Sequence, residues 1–254
     1  MKNNFSRRLY FSTIANDAAE IARENGAGIE IAEFCTAFNM DTEFEIWDDK
    51  VRKEMRGIEK FTFHAPFNEL CPGAIDPLIV EVARRRYEQA YKLMSGYGIS
   101  KMIVHSGFVP QMYFENWFTE HSVKFWKEFL ADKSADFELC LENTLENSPE
   151  MLCNIVKNVN DKRFKLCLDV GHAAVSGAKF PLSNWIERFA PLLSHVHLHN
   201  NFGEKDTHNA LCDGKIDVAF AIRRVAELAP TATFTIETSE IRASVDWLKS
   251  EGLL

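Results

Sequence analysis

Eight short apolar runs recur along the chain: RLYFSTI, AGIEIAEFC, KFTFHAPF, KMIVHSGF, FELCLENT, FKLCLDVGH, SHVHLHN and ATFTIETS. Between them lie longer amphipathic stretches. In 77–96, Ile79, Val82, Ala83, Tyr87, Ala90 and Tyr91 fall at helical spacing. Asp76 before Pro77, and Ser148 before Pro149, predict helix starts, while Gly96 or Gly98 predicts a stop. The pattern predicts eight strands with a helix after each and no low-complexity linker. An α/β fold follows, a (β/α)8 TIM barrel in one domain over 1–254. A doubly wound open sheet is the runner-up, but FSTIAND lacks the glycine-rich phosphate turn expected after its first strand.

Alternation within the strands separates two faces. Phe61 and Phe63, Leu139 and Leu141, Leu166 and Leu168, Val196 and Leu198, and Phe234 and Ile236 share one parity, expected to face the helices. The other parity carries Thr62 and His64, Cys140 and Glu142, Cys167 and Asp169, His195 and His197, and Thr235 and Glu237; His105 ends the fourth strand likewise. Six polar residues are thereby aimed at the C-terminal mouth of one barrel, where such folds keep their chemistry. Each has an ordinary reading as well. A strand-end histidine is often a hydrogen-bonded structural residue, and Asp169 or Glu142 could cap the next helix. Capping does not require matched parity on six strands, however.

Carboxylates packed this closely repel, and imidazoles at a narrow mouth lose hydration, so a divalent cation would offset both costs. Mixed oxygen and nitrogen donors suit Zn²⁺, Mn²⁺, Fe²⁺ or Co²⁺ better than Ca²⁺. His172, three residues past Asp169, and the pair Asp206 and His208 add a second or third metal position. His195 reads as a packed core residue and His199 as a candidate substrate contact. His121 reads as a surface residue, and Phe108, Tyr113, Phe114 and Trp117 as a pocket wall or subunit contact.

Composition narrows the function. A formal charge of −8 over 254 residues argues against broad attraction to nucleic acid. Loop 66–76, with two acids and no base, would repel phosphates. Arg163 and Lys165, at the far end of the barrel, read as solvated charge; Lys205 and Lys215, beside the metal loop, are candidates for a substrate phosphate. The six cysteines form no CxxC pair, as expected of reduced thiols in a cytoplasmic protein. The N-terminal segment lacks a secretory signal pattern, and no apolar stretch is long enough to span a bilayer. Association into a homo-oligomer is compatible with a barrel of this size.

The ordered set FTFHAPF, VHSG, LEN, LDVGHA, HVHLHNNFGEKDTHNALCDGKID and TIETS resembles the xylose isomerase-like barrel superfamily over roughly residues 9–240. That superfamily includes sugar-phosphate isomerases and epimerases and the endonuclease IV type of apurinic endonuclease. The resemblance implies that Glu142, Asp169, His197 and Glu237 form the shared metal site, and that His64, His105, His172, Asp206 and His208 match the further ligands of a trinuclear zinc site. One to three ions are implied, Zn²⁺ foremost, with Mn²⁺, Fe²⁺, Co²⁺ or Mg²⁺ as alternatives.

Three functions follow from it. The first is metal-dependent isomerisation or epimerisation of a sugar or sugar phosphate, with Glu142 and Glu237 as the catalytic pair moving a proton at carbon. The second is zinc-dependent phosphodiester hydrolysis of the endonuclease IV type, and the third a non-catalytic metal- or sugar-binding barrel. The acidic second strand, with Glu30 and Glu33, resembles the sugar-binding branch.

Overall fold

The structure, a computed structural model, describes residues 5–177 and 179–254. The eight expected strands are present: β1 (Leu9–Ser12), β2 (Gly28–Ile31), β3 (Phe61–His64), β4 (Lys101–His105), β5 (Glu138–Glu142), β6 (Phe164–Asp169), β7 (Leu193–Leu198) and β8 (Thr233–Ile236). They pair in parallel, each with the next, and β8 closes on β1. The helices are α1 (Ala18–Asn25), α2 (Ala37–Asp41), α3 (Phe44–Glu54), α4 (Pro77–Gly96), α5 (Glu115–Leu130), α6 (Glu150–Val159), α7 (Val170–Val175), α8 (Leu182–Phe189), α9 (Val218–Leu228) and α10 (Ile241–Ser250). Two helices follow β2 and two follow β6, where the sequence pattern predicts one each.

The main core lies between barrel and helices. The outward strand residues are buried there, apart from a half-buried Phe61, together with Tyr87, Trp126, Phe129 and Trp185 from the helices. Each large side chain fully buried in this way contributes roughly 2–3 kcal/mol. Inside the barrel the balance reverses. Ile103, Cys140 and Cys167 form a small apolar cluster of their own, and around them Ser12, Glu30, Thr62, His195 and Thr235 are fully or almost fully buried. At the floor, Lys101 Nζ reaches Glu138 Oε1 at 3.0 Å, Ser194 Oγ at 3.1 Å and Thr233 Oγ1 at 3.1 Å, so its charge is neutralised where it is buried.

Local departures from the expected pattern have physical causes. Asp76 caps α4 through Leu78 N at 2.8 Å, as its position before Pro77 predicts. Ser148 does not cap α6; Pro149 itself occupies the cap position. Ile79 and Val82 are exposed on α4, whose core contacts run instead through Val80, Ala83, Tyr87, Ala90 and Met94. Arg163 is not free solvated charge. Its guanidinium donates to the carbonyls of Leu130, Lys133 and Ser134 and pairs with Asp161, tying the start of β6 to the end of α5. No described helix is long and apolar enough to cross a membrane.

Tyr10 lies beside Gly28 in the β1–β2 register, and a Cβ on Gly28 would stand 2.4 Å from the Tyr10 ring and 2.7 Å from Lys60 O. Gly28→Val therefore overpacks the lower barrel and lowers unfolding free energy by roughly 1–3 kcal/mol in urea titrations. An unchanged midpoint contradicts this packing.

Candidate active site

The loops over the barrel mouth are held by side-chain amides. Asn143, after β5, accepts from Asp169 N at 2.9 Å and donates to Asp169 O at 3.0 Å, which fixes the end of β6. Asp169 then caps α7, accepting from His172 N at 2.6 Å, so its capping and site positions coincide. After β7, paired backbone bonds between Asn200 and Asn209 at 3.0 and 2.9 Å close the intervening loop. The Asn200 amide also donates to Leu211 O at 2.9 Å. This clamp returns Asp206 and His208 to the mouth, with His208 held at φ 47°. A left-handed histidine costs about 1 kcal/mol or more and persists where surrounding contacts require it.

Three imidazoles are oriented by the same device. Nδ1 of His64 meets Ala65 O at 2.9 Å, that of His172 meets Asn143 O at 2.9 Å, and that of His208 meets Glu237 O at 3.0 Å. An Nδ1–H donated to a carbonyl leaves Nε2 as the lone-pair nitrogen facing the site. His64 Nε2 lies 3.4 Å and His105 Nε2 3.6 Å from Glu142 Oε2. His172 Nε2 and His208 Nε2 each lie 3.0 Å from Asp206 Oδ2.

His197 is the hub. Its Nδ1 lies 3.3 Å from Glu142 Oε1, 3.1 Å from Glu237 Oε2 and 3.8 Å from Asp169 Oδ2. The four residues of the expected shared site are thus brought together, and the five further positions surround them. Both Glu142 oxygens, both His197 nitrogens and Glu237 Oε2 are nevertheless buried without a hydrogen-bond partner. Donor atoms gathered at 3–4 Å without aligning on one another are a set that could hold a metal ion. Several groups of ligand atoms, among them His64–His105–Glu142, His64–His197–Glu237 and His172–His199–Asp206–His208, are compact enough that each could surround an ion.

The electrostatics agree. Burial pushes the Glu142 carboxyl up, but His197, His105 and His172 outweigh it and hold the group well below its ordinary range. Burial likewise pushes the Glu237 carboxyl up, but His197 outweighs it and holds the group below its ordinary range. Burial drives His105 down to about 4. These carboxylates are ionised at neutral pH. Against the opposing effect of burial, the carboxylates of the mouth in turn push His64, His172 and His197 up and His208 up to about 9, so the mouth pairs negative charge with imidazolium or with a cation in its place.

Two residues play larger parts than sequence spacing indicates. His199, read as a substrate contact, is fully buried; its Nε2 lies 3.1 Å from both Asp169 oxygens and its ring stacks on His208 at 3.9 Å. Gly171 makes room for that ring, since a Cβ there would stand 1.9 Å from it. Glu30 sits beneath His197, with Oε1 3.0 Å from His197 Nε2, and Oε2 3.1 Å from His195 Nε2 and 2.9 Å from Thr62 Oγ1. Even parity on β2 was the signal for it. His195 is the packed, bonded core residue expected, joined to Thr233 and Thr235.

Two cavities meet above the cluster. One of about 330 Å³ lies between Ile14, Cys35, His64, His208 and Glu237. The other, about 660 Å³, runs outward past Phe108 and Tyr113. Phe67, His105, His172 and Asp206 border both. Among the described residues no lysine or arginine lines either. Phe114 is 85% exposed and, like Trp117, outside their walls; Trp117 stacks on His121 at 3.7 Å. Lys205 is exposed, and Lys215 lines a separate cavity with Phe180 and Phe220.

Glu33 turns away from the mouth, held by Thr13 Oγ1 at 2.6 Å and Lys50 Nζ at 2.5 Å. Its neighbour Glu54 shares Lys50 at 3.1 Å but keeps a buried oxygen without a hydrogen-bond partner. Burial, then repulsion by Glu33, pushes Glu54 up to about 7. A folded pKa above the unfolded value means that stability is lost as pH rises from about 4.5 through 7. Glu54→Gln keeps the neutral form, so it raises stability at pH 8 by roughly 1 kcal/mol after solvent screening and leaves it unchanged at pH 4. Equal effects at both pH values in thermal melts contradict the assignment.

The fold has known counterparts. Over 206 residues, 75% of this chain and 67% of the relative, the sequence is 28% identical to the uncharacterized protein MJ1311 of Methanocaldococcus jannaschii. A D-tagatose 3-epimerase-like protein superposes with TM-score 0.78 at 20% identity, covering 97% of this chain and 98% of the other. The TTHB071 protein of Thermus thermophilus, soaked with ZnCl2, superposes with TM-score 0.73 at 21% identity, covering 96% of this chain and 97% of the other. At these identities the structural likeness speaks for the fold. The family model for xylose isomerase-like TIM barrels matches residues 17–251, and the chain belongs to that family.

Proposed function

We propose that the protein is a divalent-metal-dependent enzyme that isomerises or epimerises a sugar. The observation that carries this reading is the His197 hub, where ionised Glu142 and Glu237 stand 3.3 and 3.1 Å from one imidazole nitrogen with their buried oxygens unpartnered. Glu142, Asp169, His197 and Glu237 would hold the ion, and His64, His105, His172, Asp206 and His208 would extend the site to a second or third. The donor set fits zinc, and the Thermus relative soaked with ZnCl2 supports that choice.

A bound cation supplies Lewis-acid stabilisation of negative charge developing on adjacent carbonyl and hydroxyl oxygens. The chain supplies the proton chemistry. Glu237 borders the reactive cavity and, as a carboxylate, takes the proton from a carbon next to the carbonyl. Return of a proton to the neighbouring carbon completes isomerisation; return to the opposite face completes epimerisation. Glu142 lies deeper, only 1% exposed behind the imidazoles, and forms the other flank of the pair. His105, kept neutral by burial and stacked on Phe67 at 4.3 Å, would keep a lone pair free for a second or third ion. With no lysine or arginine among the described residues of the cavity walls, a free sugar suits the site better than a sugar phosphate.

One observation favours the second reading, phosphodiester hydrolysis of the endonuclease IV type: all nine expected ligand residues converge at one mouth. The acidic, apolar rim opposes it, since a duplex backbone needs cations around the site.

Glu142→Ala is expected to lose bound metal and activity together by elemental analysis. Glu237→Gln is expected to keep most of the metal while solvent hydrogen exchange at the sugar carbon falls by about 10²-fold or more. Full metal occupancy in Glu142→Ala would show the site to be misplaced. Three zinc ions per chain together with nicking of abasic duplex DNA would establish the hydrolase instead.

A further inference from the structure

Resting on the reading above, we infer that the substrate carries an apolar substituent, aryl or alkyl, on its polyhydroxylated carbonyl end, and that the cavity beside the metal cluster binds that substituent. The reactive cavity, about 330 Å³, has the imidazoles and Glu237 on its walls. The cavity joined to it through His105, His172 and Asp206 is about 660 Å³, within the range of small-molecule sites. Beyond the shared residues its lining is mostly apolar, with Leu70, Ile79, Phe108, Val109, Met112 and Leu145 against a few polar groups such as Glu69, Thr144 and Ser176. A sugar hydroxyl placed against the apolar part loses water without gaining a partner, which weakens binding by about tenfold or more for each. An apolar group gains there instead. The cavity opens on the ligand cluster itself, so a single molecule can reach both with its oxygens at the ligands and its apolar part on this wall.

Met112 and Leu145 are 65% and 46% exposed, so acidic replacements there alter the wall without disturbing packing. The test uses two hydroxamates with the same chelating group, acetohydroxamate and 3-phenylpropionohydroxamate, titrated calorimetrically into zinc-loaded protein. The phenyl compound is expected to bind about 30-fold more tightly. In Met112→Glu and Leu145→Glu that ratio is expected to fall to about threefold or less, with acetohydroxamate affinity unchanged. Equal affinities in the unmodified protein, or a ratio that survives both substitutions, overturn the inference and leave the metal-site reading standing. Equal affinities accompanied by a dimer that Met112→Glu dissociates in sedimentation assign the apolar wall to a second copy of the chain, which also overturns it. Failure of both hydroxamates to bind zinc-replete protein overturns the metal-site reading, and this inference with it.

Discussion

A buried carboxylate must meet positive charge or donors, and the inside of this barrel obeys that constraint at every level. At the floor Lys101 answers Glu138; in the middle Glu30 Oε2 is met by His195, Thr62 and Thr235, while its Oε1 stands 3.0 Å from His197 without a hydrogen bond. At the mouth, Glu142 and Glu237 face imidazoles at close range yet have buried oxygens that no hydrogen bond satisfies. The upper level is the one at which we propose that a cation completes the charge. Below it, Glu30 supports His197 at 3.0 Å.

This arrangement separates stability from chemistry. The apolar core sits outside the barrel, under the helices, where Trp126, Trp185 and Tyr87 are fully buried. The interior can therefore carry charge without forfeiting the main source of folding energy. Rigidity at the mouth comes from backbone-directed bonds instead. Asn143 fixes Asp169, the Asn200–Asn209 clamp fixes the long loop, and carbonyls set the orientation of His64, His172 and His208. A site held this way is organised before substrate arrives, as electrostatic stabilisation of developing charge demands.

Much of this was readable in the chain because strands obey a two-residue period. Inward parity alone placed His64, His105, Glu142, Asp169, His197 and Glu237 at one mouth, and all six are there. The stretch 77–96 matched α4 to the residue, since Asp76 and Pro77 encode its start locally. What failed was nonlocal. Arg163 looked like free charge because its carbonyl acceptors lie about thirty residues away. Ile79 and Val82 read as part of the helical stripe of Ala83, but the core contacts of α4 run through Val80, Ala83, Tyr87, Ala90 and Met94 and leave them exposed. The burial of His199 depends on the space at Gly171; Glu30 shows its inward parity, but its partners His195 and His197 come from β7, far along the chain, and spacing does not encode them.

The central claim is that the buried donors at the mouth surround a cation. Anomalous diffraction from crystals of the protein purified without chelator, collected on both sides of the zinc absorption edge, tests it directly. An anomalous peak is expected within ligand distance, about 2.0–2.2 Å, of His197 Nδ1, Glu142, Asp169 and Glu237. A mouth filled by ordered waters that hydrogen-bond those same oxygens and nitrogens, with no anomalous signal after soaking in zinc, manganese or cobalt, would contradict it.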